Sequence, residues 1–202
     1  MERCGWAGTD PENVRYHDEE WGRPVIDDAR LYEKLCLEGF QSGLSWLTIL
    51  KKRPQFRKQF KNFDPMKVSK MTTADVERLL QDAGIIRHRG KIESTINNAK
   101  RVLEIQKEFS SLAAYIWKFE PTPLPAPTIG GSLPAQTAAS IALSKDLRKR
   151  GFSFVGPTTC YAFMQAMGLV NDHYAHCDCR KPCEAERKKL KRPAIAHGGD
   201  AT

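Results

Sequence analysis

The sequence predicts an all-α protein, and three observations support that class. Apolar residues recur at spacings of three and four in several segments, alternation with a period of two is almost absent, and residues that start and stop helices divide the chain. The clearest stripe lies between 89 and 107, where Ile92, Ile96 and Leu103 share one face and Lys and Arg occupy the outer face. With 202 residues and no internal repeat, the chain is expected to form one domain.

The N-terminal segment 1–26 is predicted to be irregular. It is rich in Gly, Asp and aromatic residues and shows no clear period, so we expect it to pack onto the body of the protein. A helix is predicted at 28–41, where apolar residues fall near helical spacing. A second helix is predicted at 45–53, because Pro54 lacks a backbone donor and is expected to end it.

The remaining helices follow from cap and stop residues. Thr72 and Asp75 form a capping-box pattern before one helix, and Gly84 is expected to stop it. Gly151 is expected to stop another, and Pro157 is a favoured first helical residue. Together these signals predict helices at 65–70, 73–83, 89–107, 112–119, 137–150 and 157–168.

Two stretches are predicted to lack helices. Five prolines between 120 and 134 exclude a helix there, so we expect a surface loop that separates two helical lobes. Beyond Cys183 the charged tail 184–202 is expected to be disordered. The single domain is therefore expected to span residues 1–183.

The chain carries a formal charge of +8. Residues 180–202 hold seven Lys or Arg against three acids, so half of this excess lies in the tail and half in the body. A basic body favours a polyanionic partner, although many enzymes share a charge of this size. No apolar run approaches about 18 residues, and the first residues lack the apolar segment of a secretory signal. We therefore expect no membrane span and a cytoplasmic location, where the six cysteines are thiols or metal ligands.

Two turns are suited to binding a phosphate. Residues 150–168 form the end of one helix, a tight turn and the start of another, which is a helix-hairpin-helix pattern. In this turn Gly156 would let the backbone approach a ligand, and the amides that start the next helix favour an anion. A second turn carries Arg87, Arg89 and Lys91. A ligand-free αα-hairpin and a solvated charged loop are the alternatives, but two such turns on a basic body favour a nucleic-acid backbone.

The stretch from Glu38 to Trp46 is a candidate site. It places a carboxylate and an indole on either side of a break that contains Gly43, with Leu44 at an exposed tip. The alternative is an ordinary helix-loop-helix corner with a solvated Glu and a core Trp.

Cysteine and histidine cluster near both ends of the chain. The cluster residues are Cys4, His17, His173, His176, Cys177, Cys179 and Cys183. His173 and Cys177 stand four residues apart and can reach one metal ion from one helical turn. Four protein ligands would make the site structural and would fasten the N-terminal segment. The alternative is that the cysteines are small buried core residues.

Several longer motifs resemble one known family. They are Met1-Glu-Arg-Cys-Gly-Trp6, Tyr16-His17-Asp-x-Glu-Trp-Gly22, Leu37-Glu-Gly with Gly43-Leu-Ser-Trp46, Asp82-Ala-Gly-Ile-Ile-Arg-His-Arg-Gly-Lys-Ile92, and Phe154-Val-Gly through Leu169-Val-Asn-Asp-His173. Over about residues 1–180 the chain is similar to the 3-methyladenine DNA glycosylase I family of the helix-hairpin-helix superfamily. The resemblance implies that fold, removal of N3-methyladenine from alkylated double-stranded DNA, and one structural zinc ion per chain.

The resemblance also implies roles for individual residues. The implied zinc ligands are Cys4, His17, His173 and Cys177. His176 and Cys183 fall outside the ligand positions, as does Cys179, which is the nearest rival. Glu38, Tyr16 and Trp46 are implied to line the base pocket, with Trp6 and Trp21 nearby, and Leu44 to wedge into the duplex.

Physical chemistry agrees with these roles. The target base must be rotated out of the stack, and a tip formed by Gly43 and Leu44 can fill the gap. N3-methyladenine in DNA is cationic, so aromatic faces attract it more than they attract adenine. Glu38 can accept a hydrogen bond from the exocyclic amine.

One departure from the wider superfamily bears on the mechanism. Asn171 stands where many members carry a catalytic Asp, and the hairpin helix has no Lys that could act as a nucleophile. We therefore expect no strand cleavage. The resemblance implies base hydrolysis that leaves an abasic site and releases free 3-methyladenine, by a protein that acts as a monomer. One rival hypothesis is a zinc-stabilised module that binds damaged DNA without chemistry. Another is an RNA-binding protein, which only the positive charge of the chain supports.

Overall fold

The computed structural model describes residues 1–123, 125–128 and 133–194, and within these ranges it contains ten α-helices and no strand. The helices are α1 (Pro11–Glu19), α2 (Asp28–Gln41), α3 (Trp46–Gln59), α4 (Pro65–Val68), α5 (Thr73–Leu80), α6 (Arg89–Phe109), α7 (Leu112–Trp117), α8 (Ala138–Lys149), α9 (Pro157–Ala166) and α10 (Arg180–Lys189). The predicted all-α class is confirmed.

Helix α2 is the central element of the fold. Asp27 caps its first turn by accepting a hydrogen bond from the Arg30 amide, and every residue from 31 to 40 is buried. It contacts α3, α6 and α7 as well as α9. Because it is covered on several sides, α2 joins the helices before the proline-rich loop to the α8–α9 hairpin after it.

The turn between α8 and α9 is held by α6. The side-chain amide of Asn98 accepts from the Ser153 amide at 3.0 Å and donates to the Ser153 carbonyl oxygen at 3.0 Å. Gly151 has φ +85°, a left-handed conformation that favours glycine, and Phe154 adopts φ +55° despite its side chain. The hairpin predicted at 150–168 is therefore present, with its turn fixed by two hydrogen bonds from one side chain.

The N-terminal segment differs from the prediction because it contains a regular helix. Helix α1 starts with an Asp10 cap and Pro11 as its first residue, and it buries only Tyr16 and His17. A polar helix with so few buried residues gives little apolar periodicity, so the cap and proline were the usable signals.

Helix α3 also differs, because it continues past Pro54 to Gln59. A proline inside a helix removes one hydrogen bond to the residue four positions earlier. Phe56 is fully buried in the continuing segment, and Arg53 bonds to the Glu20 carboxylate through both terminal nitrogens. These tertiary interactions offset the missing bond.

The prediction that the chain is disordered beyond Cys183 is wrong for residues 184–194. Helix α10 spans this point and buries the Arg187 guanidinium, which donates to the Gly168 carbonyl oxygen at 2.6 Å and to Glu120 at 2.9 Å. Residues 195–202 of the predicted tail lie outside the described residues. Gly84 is likewise not a helix stop, because α5 already ends at Leu80.

Among the described residues, no helix combines the length and apolar character that a membrane span requires.

Candidate active site

Helices α1, α2, α3 and α9 contribute side chains to an open cavity of about 190 Å³. Its lining consists of Trp6, Tyr16, Trp21, Lys34, Glu38, Gln41, Trp46, Leu133, Ala162 and Gln165. All five residues predicted to hold the base are among them. The carboxylate before the Gly43 break and the indole after it therefore face one cavity, as the site hypothesis requires.

The walls of this cavity are aromatic. The rings of Tyr16 and Trp46 lie 5.1 Å apart, and those of Trp6 and Trp21 lie 4.9 Å apart in an edge-to-face contact. Trp6 also contacts Tyr16 edge to face at 6.4 Å. Four electron-rich rings around one small cavity suit a flat, positively charged ligand.

Sequence reasoning missed the central charged group of the cavity, Lys34. Its ammonium lies 2.7 Å from Glu38 Oε1 and donates to the Tyr16 hydroxyl at 2.8 Å. It also stands 3.2 Å from the centre of the Trp46 ring. Lys34 precedes Glu38 by one helical turn, which is the spacing of a helical ion pair and the signal that could have found it.

Burial perturbs two of these groups. The pKa of Lys34 is lowered to about 8 by its removal from water, against the opposing attraction of Glu38. Burial, with the negative charges of Glu38 and Glu20, raises the pKa of Tyr16 well above its ordinary value. Tyr16 is therefore a neutral hydrogen-bonding group near neutral pH.

The predicted tip lies directly after α2. Gly43 has φ +82°, and Leu44 is 41% exposed although it is a large apolar residue. Ser45 then caps α3 by accepting from the Thr48 amide at 3.2 Å. The tip is thus a short exposed connection between the buried helix α2 and the capped start of α3.

Lys91 does not have the predicted role of an exposed cation. Its ammonium is buried and donates to the carbonyl oxygens of Phe40 at 2.9 Å and Ser42 at 2.7 Å. Carbonyls at a helix C-terminus lack partners within the helix, which makes them good acceptors for a lysine. Lys91 therefore fixes the end of α2 and the start of the tip.

The three predicted DNA-binding segments lie close together around Phe154. A Cβ added at Gly39 would lie 3.1 Å from the Phe154 Cβ, and the His88 ring packs edge to face on Phe154 at 6.2 Å. The end of α2, the turn before α6 and the hairpin turn therefore meet. Arg87 is exposed in this turn, and Arg89 is also exposed but pairs with Glu77 at 2.6 Å.

Gly156 is the N-cap of α9, and no side chain caps it. A Cβ added there would meet nothing within 4 Å among the described residues. The first turn of α9 is therefore open to a ligand on this side, as the hairpin pattern predicts.

Cys4, His17, His173 and Cys177 form a second, fully buried cluster. Their nearest ligand atoms all lie within 4.8 Å of one another, with the Sγ of Cys177 at 3.4 Å from His173 Nδ1 and 3.6 Å from His17 Nε2. The Sγ of Cys4 lies 3.5 Å from His173 Nδ1. The structure thus brings together the predicted ligands from both ends of the chain in a group that could hold a metal ion.

The histidines of this cluster are oriented by a second set of hydrogen bonds. His17 Nδ1 lies 2.8 Å from Asp18 Oδ1, and His173 Nε2 lies 3.0 Å from the Trp21 carbonyl oxygen. If these nitrogens carry the protons, the opposite ring nitrogens, His17 Nε2 and His173 Nδ1, direct their lone pairs toward the cysteine sulfur atoms. Burial lowers the pKa of His173 to about 4, which keeps the imidazole neutral, as a metal ligand must be.

The other candidate ligands lie outside this group of four. Cys179 Sγ is 4.0 Å from His17 Nδ1 and 3.8 Å from Asp18 Oδ1, which places it on the far side of the His17 ring. Cys183 lies 3.9 Å from the Trp21 carbonyl oxygen, and His176 contacts the Arg3 carbonyl oxygen.

Asn171 lies away from the aromatic cavity. Its amide donates to the Arg180 carbonyl oxygen at 3.1 Å and to Glu184 at 3.3 Å, and it lines a separate cavity. The next residue, Asp172, does affect the aromatic cavity, because it accepts from Gln165 Nε2 at 2.8 Å. The Gln165 amide oxygen is then left as an acceptor for a ligand.

A helix-hairpin-helix turn beside an aromatic cavity is a combination typical of DNA repair proteins that examine a single extruded base. The chain belongs to the methyladenine glycosylase family, whose model matches residues 6–181.

Individual relatives cover most of the chain. It is 53% identical over 182 residues to DNA-3-methyladenine glycosylase 1 of Escherichia coli (strain K12). The aligned residues cover 89% of this chain and 97% of the E. coli protein. A crystal structure of 3-methyladenine DNA glycosylase I matches with a TM-score of 0.85 and 50% identity, over 89% of this chain and 100% of the other. A Staphylococcus aureus structure, described as the structural basis of 3-methyladenine recognition, matches with a TM-score of 0.84 and 36% identity, over 89% and 97%.

Proposed function

We propose that this chain is a DNA repair enzyme that hydrolyses the N-glycosidic bond of N3-methyladenine in alkylated double-stranded DNA. One observation carries the proposal: the aromatic cavity holds the buried carboxylate of Glu38 and lies beside the exposed tip of Gly43 and Leu44. Membership of the family and the printed names of its relatives support the same reaction.

In the proposed mechanism the cavity selects the base by charge and fit. The extruded purine stacks against Trp46 and Tyr16, whose faces attract its positive charge, and Glu38 accepts from the exocyclic amine. Trp6 and Trp21 close the far wall. A cationic base is already a good leaving group, so modest stabilisation of the sugar oxocarbenium ion and one positioned water suffice for hydrolysis.

No residue of this chain is proposed as a covalent nucleophile. Asn171 bonds to α10 rather than facing the cavity, and α9 contains no lysine. We therefore propose a monofunctional enzyme that leaves an abasic site and releases free 3-methyladenine.

The proposed DNA contacts lie on the surface around Phe154. The amides at the start of α9, next to Gly156, are suited to a phosphate, and Arg87 supplies an exposed cation in the turn before α6. Arg89 can contribute only by leaving its pairs with Glu77 and Glu93. Leu44 fills the space that the extruded nucleotide vacates.

For the metal cluster we propose one structural zinc ion. Zinc–ligand bonds of about 2.0–2.3 Å in a tetrahedron place ligand atoms roughly 3.3–3.8 Å apart. The three Sγ–N separations given above, 3.4 to 3.6 Å, fall in this range. With four protein ligands the ion would stabilise the fold, and no position would remain for a reacting water.

We also propose a compartment and an oligomeric state. None of the six cysteines forms a disulfide, which agrees with a reducing compartment such as the cytoplasm. A monomer is proposed because one chain contains both the cavity and the tip.

Release of the free base from methylated duplex DNA, followed by chromatography with mass detection, tests the proposed reaction. We expect 3-methyladenine in the supernatant and intact DNA strands. Binding to methylated DNA without release of any base would instead support the non-catalytic module that recognises damage.

Leu44→Ala is expected to slow base release from duplex DNA about tenfold, because the smaller side chain leaves the gap in the stack unfilled. Single-turnover rates should be measured on duplex DNA and on a single strand with the same lesion, where there is no gap to fill. Met66→Ala removes an exposed apolar side chain of α4 and serves as the control. Equal slowing on both substrates would count against the wedge.

A further inference from the structure

Lys34 occupies the part of the cavity that the proposed base contacts share. Its ammonium touches the face of Trp46 at 3.2 Å, the carboxylate of Glu38 at 2.7 Å and the hydroxyl of Tyr16 at 2.8 Å. These are the three groups assigned above to the base. In the free protein the lysine therefore makes the same kinds of interaction that a cationic purine would make.

We propose that Lys34 is a specificity-determining residue that sets how strongly the cavity favours a cationic base over a neutral one. The inference rests on the proposed function, because it assumes that the base binds against Trp46 and Glu38. Glu38 alone would give the cavity a negative charge that attracts a cation. With protonated Lys34 the pair is neutral, and a cationic base brings a second positive charge into a site shielded from water.

The other charged groups near Lys34 do not remove this conflict. Arg53 of α3 donates hydrogen bonds of 2.6 and 2.7 Å to the carboxylate of Glu20, the residue that follows α1. The charges of Arg53 and Glu20 therefore balance each other. Tyr16 stays a neutral phenol because its pKa is raised. The described lining contributed by α9 is Ala162 and Gln165, neither of which titrates. Lys34 and Glu38 therefore decide the charge of the cavity.

A cationic base can be accommodated when Lys34 loses its proton. The pKa of about 8 that burial gives this lysine makes the loss accessible near neutral pH. The proton passes from Nζ to the solvent buffer, so the cavity exchanges one positive charge for another, and the neutral amine keeps two N–H donors and gains a lone pair. A neutral base requires no exchange.

This exchange makes the affinity for a cation depend on pH. Below the pKa of Lys34 in the free protein, each unit rise in pH increases the affinity about tenfold, because the neutral amine becomes about tenfold more abundant. Above that pKa the affinity levels off. At pH 7 the protonated lysine is therefore expected to weaken cation binding about tenfold.

Isothermal titration calorimetry with two ligands tests the inference. The first, 3,9-dimethyladeninium, has a fixed positive charge, and the second, free 3-methyladenine, is uncharged at pH 7 and above. Wild-type titrations at pH 7 in two buffers of different ionisation enthalpy should show release of about one proton with the cation and none with the neutral base. Lys34→Met should bind the cation about tenfold more tightly, without proton release, and should change neutral-base binding less than about threefold.

Two further variants make the result specific to Lys34. Lys34→Arg keeps a charge that cannot be lost, so it should bind the cation more weakly than the wild type at pH 9. Lys100→Met, which removes an exposed lysine of α6, should behave as the wild type. Equal proton release by the wild type and Lys34→Met would overturn the role of Lys34 and leave the base pocket standing. Failure of the wild type to bind either ligand would overturn the pocket itself, and the role of Lys34 with it.

Discussion

Glu38→Gln is expected to lower the rate of 3-methyladenine release from methylated duplex DNA about 100-fold. The substitution replaces a charged acceptor, buried in the cavity, with a neutral one, and a hydrogen bond to a charged group contributes about 1.5–3 kcal/mol. Affinity for undamaged duplex should change little, because the carboxylate does not reach the surface. Single-turnover base release and duplex binding, measured on the same preparation, separate the two effects.

The ion pair with Lys34 gives this variant a second consequence. Glutamine leaves the ammonium of Lys34 without its carboxylate, and breaking a buried pair in this way costs about 3–5 kcal/mol of stability. The matched control is the double variant Lys34→Met with Glu38→Gln, which removes both charges. It should recover much of the stability but not the activity. Recovery of wild-type base release would show that the carboxylate serves only to balance the lysine.

Cys177→Ser is expected to lower the midpoint of thermal unfolding by about 10–20 °C. The substitution removes one of the four proposed zinc ligands, so it is expected to weaken binding of an ion that would join the two ends of the chain. A loss of about 5 kcal/mol shifts the midpoint of a domain of this size by that amount. Calorimetry with and without a chelator measures the effect. The wild-type midpoint should fall on chelation, and that of the variant should change little.

Elemental analysis distinguishes the proposed ligands from their rival. Tag-free wild-type protein should contain about one equivalent of zinc. Cys179→Ser should retain it, because Cys179 lies on the Asp18 side of the His17 ring and outside the group of four. Absence of metal from the purified wild-type protein would contradict the zinc proposal. Loss of metal from Cys179→Ser would show that Cys179 is a ligand in place of one of the four proposed residues.

The sequence was most informative where local chemistry and burial agree. Helix α2 has the predicted bounds of 28–41, because its cap and its apolar residues lie within the segment itself. The C-terminal end of α3 and the existence of α10 were not predictable in this way. Pro54 stays inside a helix because of tertiary contacts, and α10 is ordered around Arg187, whose partners lie 19 and 67 positions earlier.

The site shows the same division. The motifs indicated Glu38 and Trp46, and the family resemblance narrowed the seven Cys and His candidates to the four residues that the structure brings together. They did not indicate Lys34, because a lysine in a helix is usually solvated and its burial depends on α1 and α3. Lys91 was misassigned for the converse reason: its neighbours in sequence are exposed cations, whereas its ammonium reaches the end of α2, about 50 residues earlier.

The contacts of His173 and Cys177 with the N-terminal segment also determine when the aromatic cavity can be completed during synthesis. Trp6, Tyr16 and Trp21 are synthesised about 150 residues before His173 and Cys177, whose side chains contact that segment. A nascent or prematurely terminated chain that lacks them has the tip and the carboxylate but no fastened aromatic wall. The order of translation thus delays a functional pocket until nearly the whole domain has been made.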